Sequence, residues 1–195
     1  MSESIVASKS PVAIGLVHHP IRARDGRIVA TNITNFDIHD IARACKSYGI
    51  DSYYIIHPAK EQQMFVSRVL DHWRTGEGSG LNPMRRTALG PVKLADSWQE
   101  ALSDWGQDGA EVLATTARDI PGKPRLGFRE LRQKIENKEA PKMILFGTGF
   151  GLADDVLFNV NGILEPIQGA PPQDYRHLSV RSAVTIVLDR LLGSW

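Results

Sequence analysis

Apolar runs alternate along this chain with stretches of helical period. Residues 12–17, Val-Ala-Ile-Gly-Leu-Val, are short and continuously apolar, as a strand buried on both faces should be. After a polar loop, Ile38, Ile41, Ala42, Cys45 and Tyr48 mark one face of a helix that Gly49 stops. Residues 52–56 read as a second strand, and Pro58 opens a helix running to Trp73. The Gly-Glu-Gly-Ser-Gly run at 76–80 predicts a flexible loop. Residues 91–94 form a short strand. Ser97 with Glu100 is a capping-box pattern for a helix that ends near Gly106. Residues 111–115 are a strand, 128–137 a charged helix and 143–146 a strand that ends in a Gly-rich turn. Residues 162–165 are the last strand. Residues 178–192 form a long helix, apolar over most of its circumference and so expected to be well buried.

Strands alternating with helices predict an α/β fold, a mostly parallel sheet with helices on both faces. In such sheets ligands bind beyond the carboxyl ends of the strands. The Pro/Gly-broken, basic stretch 118–127 is the expected mobile loop.

A length of 195 residues suits a single domain over 1–195, and 42% hydrophobic residues suffice for a sizeable core. No apolar run approaches the ~20 residues of a membrane span. Residues 1–10 lack the apolar stretch of a secretory signal. Cys45 is the single cysteine, which excludes a disulfide framework and a Cys-rich metal site and fits a reducing cytoplasm. Net charge is +1, less basic than most proteins that embrace RNA. The basic residues cluster, however: Arg22, Arg24 and Arg27 in one loop, Arg85 beside Arg86, and Arg118, Lys123, Arg125, Arg129, Arg132 and Lys134 in one span. The loop 20–34 and the span 118–132 are the expected RNA contacts. His18 and His19 end the first strand without third and fourth ligands at a metal spacing, so no metal is expected.

Three strand ends carry candidate chemistry: residues 114–118, 145–152, and 164–169 leading through 173–177 into 178–182. Gly147, Gly149 and Gly151 let the backbone approach a ligand and adopt positive φ, although a plain tight turn would use them equally well. The spacing G-x-G-x-G is neither a Rossmann fingerprint nor a P-loop. The combination resembles the SPOUT RNA methyltransferases, many of which carry F-G-x-E-x-x-G-L in one loop and S-L-N-V-S-x-A-x-x-I in another. Phe146-Gly-Thr-Gly-Phe-Gly-Leu152 is similar to the first, one residue shorter and without the glutamate. Leu178-Ser-Val-Arg-Ser-Ala-Val-Thr-Ile186 is similar to the second, with Ser179 at the usual asparagine and Arg181 at the usual serine. Ile41-Ala-Arg-Ala-Cys-Lys-Ser-Tyr-Gly49 resembles an upstream phrase whose arginine falls on Arg43. Residues 34–41 resemble a bacterial subgroup akin to the C-terminal part of the tRNA (guanine-N1) methyltransferase group.

The resemblance implies a C-terminal deep trefoil knot, a homodimer, and transfer of methyl from S-adenosylmethionine to a base or ribose of tRNA or rRNA. Knots are too rare for periodicity to justify one, so the knot rests on the resemblance. The implied cofactor contacts are Thr115, Thr116 and Ala117; Phe146, Gly147, Thr148, Gly149, Gly151 and Leu152; Ile167, Gln168 and Gly169; and His177, Leu178, Ser179 and Val180. Arg43 is the implied active-site arginine, acting within the partner's site in a dimer. Asp37 is a candidate base or a cap of its helix, and Ser179 a candidate catalytic residue, a cofactor ligand or a cap. His39 and His177 are candidate proton shuttles. The competing readings are a catalytically silent knotted RNA-binding or ribosome-assembly module, and another α/β nucleotide-binding enzyme.

Overall fold

The computed structural model describes residues 9–172 and 175–194. Expectations touching residues 1–8, Gln173, Asp174 and Trp195 lie outside the described residues. In chain order the elements are β1 (Val12–Val17), β2 (Ile21–Arg22), β3 (Ile28–Val29), α1 (Asn35–Ser47), β4 (Tyr53–Ile56), α2 (Lys60–Arg74), α3 (Gly78–Leu81), α4 (Pro83–Leu89), β5 (Val92–Ala95), α5 (Trp98–Trp105), β6 (Glu111–Thr115), β7 (Arg125–Leu126), α6 (Phe128–Glu136), β8 (Lys142–Gly147), α7 (Asp154–Asn159), β9 (Gly162–Leu164) and α8 (Val180–Leu192).

Seven strands form one sheet in the order β5-β4-β1-β8-β6-β9-β7, and every pair in it is parallel. The sheet separates two cores, because successive strand side chains point to opposite faces. Val12, Ile14 and Leu16 of β1 pack with Ile38, Ile41 and Cys45 of α1, Leu131 of α6 and Val184 and Leu188 of α8. Ala13 and Val17 of the same strand pack with Ala101 of α5 and Val156 and Leu157 of α7. The chain builds outward from β1 to β5, then returns to place β8 against the other side of β1. All the strand ends named above therefore lie on one rim.

Several short elements differ from the sequence reading. The polar loop after β1 contains the antiparallel β2–β3 ribbon. The run expected as a flexible loop at 76–80 enters the single turn of α3, and α4 follows, capped by Asn82, which accepts from the Arg85 N–H at 3.0 Å. The stretch expected to be a mobile loop contains β7, paired with β9. Helix α8 buries one stripe, Val184, Val187, Leu188 and Leu191, rather than most of its circumference.

Candidate functional site

A cavity of about 730 Å³ opens at the carboxyl ends of the strands. Thr115, Thr116 and Ala117 line it after β6; Phe146, Gly147, Thr148, Gly149 and Gly151 line it after β8. Ile167 lines it after β9, and His177, Leu178, Ser179 and Val180 line it at the entry to α8. Of the expected contacts, Leu152, Gln168 and Gly169 do not face the cavity. Leu152 is fully buried beneath the turn, whereas Gln168 and Gly169 are exposed.

The turn after β8 needs its glycines. Gly149 and Gly151 have φ of 55° and 97°, in the left-handed region. A Cβ on Gly147 would lie 2.6 Å from the Leu152 backbone nitrogen. The Arg118 guanidinium ties two loops together, donating to the Leu152 carbonyl at 2.9 Å and to Asp154 at 2.8 Å. The β2–β3 ribbon is tied to the same turn. Arg22 N–H donates to the Gly151 carbonyl at 2.9 Å, and the Arg22 side chain pairs with Asp154 at 3.2 Å.

The opposite wall comes from the N-terminal half: His18, Thr31, Asn32, Thr34 and Asp37. Sequence reasoning placed Thr31, Asn32 and Thr34 within the loop 20–34 expected to contact RNA, not at this cavity. Only Thr34 carried a signal, as the cap three residues before Asp37. Asp37 completes that capping box: its Oδ2 accepts from Thr34 Oγ1 at 2.6 Å and from Thr34 N–H at 3.2 Å. Its Oδ1 accepts from Arg181 at 3.1 Å. Asp37 thus caps its helix and also faces the cavity. Ser179 likewise combines both roles considered for it, lining the cavity and accepting from the Ser182 N–H at 3.2 Å as the cap of α8.

His18 is buried, and a hydroxyl chain ties it to the turn after β8. Thr148 Oγ1 lies 3.2 Å from the Val17 carbonyl and 2.5 Å from Thr31 Oγ1, which lies 3.0 Å from His18 Nδ1. His18 Nε2 has no partner among the described residues. Burial is the main cause that lowers the His18 pKa to about 4, so the ring is neutral near pH 7.

Arg43 does not line this cavity; it is exposed on α1. The basic span 118–134 is largely consumed within the chain. Lys123 donates to the Phe158 and Val160 carbonyls at 2.6 and 3.1 Å. Arg125 donates to Asp119 at 2.6 Å, and Arg132 to Glu136 at 3.0 Å and the Gly193 carbonyl at 2.9 Å. Among the described residues no group of three or more His, Cys, Asp or Glu could hold a metal ion, and no helix is long and apolar enough to cross a membrane.

The residues present suit S-adenosylmethionine. Phe146, Leu164, Ile167 and Val187 supply an apolar wall for a flat heterocycle, and Asp37 and Glu165 supply carboxylates for a cationic ligand. Fold and site together define an α/β protein of the ligand-binding parallel-sheet kind, with three C-terminal strand ends converging on one cavity.

Residues 11–193 match the family described as SAM-dependent RNA methyltransferase, and the chain belongs to that family, within the SPOUT class. It is 41% identical over 181 residues to a tRNA (guanine-N(1)-)-methyltransferase of Oleidesulfovibrio alaskensis, covering 91% of this chain but 41% of that enzyme. It is 38% identical to an uncharacterized protein of Aquifex aeolicus, covering 93% of this chain and 88% of that one. Among solved structures it resembles TrmJ from Z. mobilis, with TM-score 0.63, 21% identity and coverage of 95% of this chain and 69% of that chain. It also resembles an A. aeolicus TrmH/SpoU tRNA modifying enzyme, with TM-score 0.55, 15% identity and coverage of 94% and 74%. These structural likenesses concern the fold.

Proposed function

We propose that residues 1–195 act as one cytoplasmic SPOUT domain that transfers the methyl of S-adenosylmethionine to RNA, with tRNA the first substrate to test. The observation that carries this reading is the single cavity on which the loops after β6, β8 and β9 converge. The guanine-N1 activity named for the Oleidesulfovibrio relative belongs to a polypeptide of which this chain spans 41%, so the acceptor atom is left to experiment.

In this reading the cofactor supplies a methyl group activated on a sulfonium, and the protein supplies placement and electrostatics. The turn at 147–151 offers main-chain groups to the adenine and Thr115–Ala117 to the remainder, with the chain threaded as a deep trefoil knot around them. Asp37 is a cavity carboxylate that could act as a base. As a base it would first have to exchange its Arg181 partner for the acceptor. Phe36, Leu178 and Tyr175, at 67%, 42% and 70% exposure, offer apolar surface for a second copy beside the cavity mouth. In that homodimer Arg43 serves the partner's cavity.

The test is methyl transfer from labelled cofactor into total RNA of a strain lacking the gene, with the oligomer read in parallel by light scattering. The reading predicts label in tRNA, a dimeric mass, and at least a hundredfold loss of rate in Arg43→Ala, on the order expected for a lost transition-state contact. Equal rates in Arg43→Ala would remove that arginine from the site. Absence of label in any RNA would favour the catalytically silent module.

A further inference from the structure

We propose that the face shared by the middle of α1 and by α4 is a docking surface for the phosphodiester strand of the RNA, with Arg85 and Arg86 as its phosphate contacts. This deepens, and rests on, the RNA methyltransferase reading above.

The face is assembled around Trp73 at the end of α2. The Arg85 guanidinium stacks over the Trp73 ring, 4.4 Å from its centroid, while His39 of α1 meets the same ring edge-on at 5.9 Å. Stacking holds a guanidinium plane in place without using its N–H donors, which stay free for an anion. Arg43 follows His39 by one helical turn, so both project to the same side of α1. The charges at His39 agree with the grouping: burial lowers its pKa first, then the Arg85 charge, and, against the opposing pull of Asp40, the Arg43 charge. Arg86 is exposed and has no side-chain partner among the described residues. Asp40, next to His39 on α1, pairs with Arg181 at 3.5 Å, which offsets part of its charge.

Charge decides the kind of partner. Arg85 and Arg43 both act on His39, and the exposed Arg86 follows Arg85 on α4; this concentration of arginines suits a polyanion. The basic cluster most prominent in the sequence, 118–134, is spent largely on internal bonds, whereas Arg43, Arg85 and Arg86 keep donors for a ligand. Beside them Leu81 and Met84 stand 80% and 82% exposed, giving a sugar or an unstacked base an apolar surface to rest on. The face also adjoins Arg43, the residue assigned to the reacting end of the RNA, so one strand reaches both.

The experiment is fluorescence anisotropy of end-labelled bulk tRNA with the full chain, titrated over a range of NaCl concentrations. The variants are Arg86→Glu, the double Arg85→Ala/Arg86→Ala and the conservative Arg85→Lys/Arg86→Lys. The double variant should bind roughly tenfold more weakly. The slope of log affinity against log salt should shrink by about 1 to 2, since each neutralised phosphate contributes about 0.7 to 0.9. The lysine pair should restore the slope. Calorimetric binding of S-adenosylmethionine should stay unchanged in all three, which reports an intact cavity and fold. Arg86→Glu, at an exposed position, keeps the test valid if the double variant folds poorly. Unchanged affinity and slope in Arg86→Glu would overturn the proposal while leaving the methyltransferase reading standing. So would a dimer that dissociates in Arg86→Glu with RNA affinity intact, which would make the face a protein interface. A wild-type chain that binds cofactor but no RNA would sink both.

Discussion

His18 shows at the residue scale how surroundings fix a protonation state. Its ring is buried and neutral, with a pKa of about 4 against an ordinary 6.5. Between those two values the unfolded chain binds a proton that the folded chain does not, so stability falls as pH drops from about 6.5 to about 4. The full contribution is about 3 kcal/mol. Urea unfolding at pH 7 and pH 4.5 should show wild type losing more stability than His18→Gln; parallel losses would show that His18 does not titrate in this window. The sequence raised this residue only as a metal ligand short of partners, not as part of a cavity wall. A histidine at a strand end reads the same whether it is buried or solvated, and its partner Thr31 sits in a loop without periodicity. Asp37 and Ser179 were legible as candidates because caps have a sequence signature, yet each turned out to serve helix and cavity together. Arg43 entered as a candidate only through resemblance, since an exposed helix arginine has no pattern of its own, and it does not line the cavity.

At the scale of elements, the sequence revealed what hydrophobic burial dictates. The middles of strands β1, β4, β6 and β8 are apolar because helices cover both faces of the sheet, and α1 shows its 3.6-residue stripe because one side packs on β1. The elements missed are β2, β3, β7, α3 and α4. Each is seven residues or shorter, too short to show a period, and depends on tertiary contacts. The span 118–127 is the clearest case: its Pro and Gly residues read as mobility, but Arg118, Lys123 and Arg125 each bond to backbone carbonyls that only the folded chain brings near. Arg118 lines the cavity and also ties its loops together. Arg118→Ala should raise the KM for S-adenosylmethionine roughly tenfold through loss of two charge-assisted bonds, with kcat nearly unchanged. An equal fall in kcat and kcat/KM would instead place Arg118 in the transition state.

At the scale of the whole molecule, one parallel sheet separates two cores and leaves all its functional loops on one rim. β8 is inserted between β1 and β6, so the Gly-rich turn lies between the N-terminal wall, His18 to Asp37, and the C-terminal loops. That neighbourhood joins residues more than a hundred positions apart, such as Thr31 and Thr148, and no local pattern encodes it. The central claim is that these loops grip S-adenosylmethionine chiefly through backbone held in a glycine-dependent turn. Calorimetric titration of wild type and Gly147→Ala with S-adenosylmethionine, and with NAD as the rival ligand, tests it most directly. The account predicts one S-adenosylmethionine site per chain, no binding of NAD, and at least a tenfold loss of affinity in a still-folded Gly147→Ala, because the added methyl collides with the Leu152 backbone at 2.6 Å. Undiminished binding by the folded variant, or NAD binding in place of S-adenosylmethionine, would contradict it.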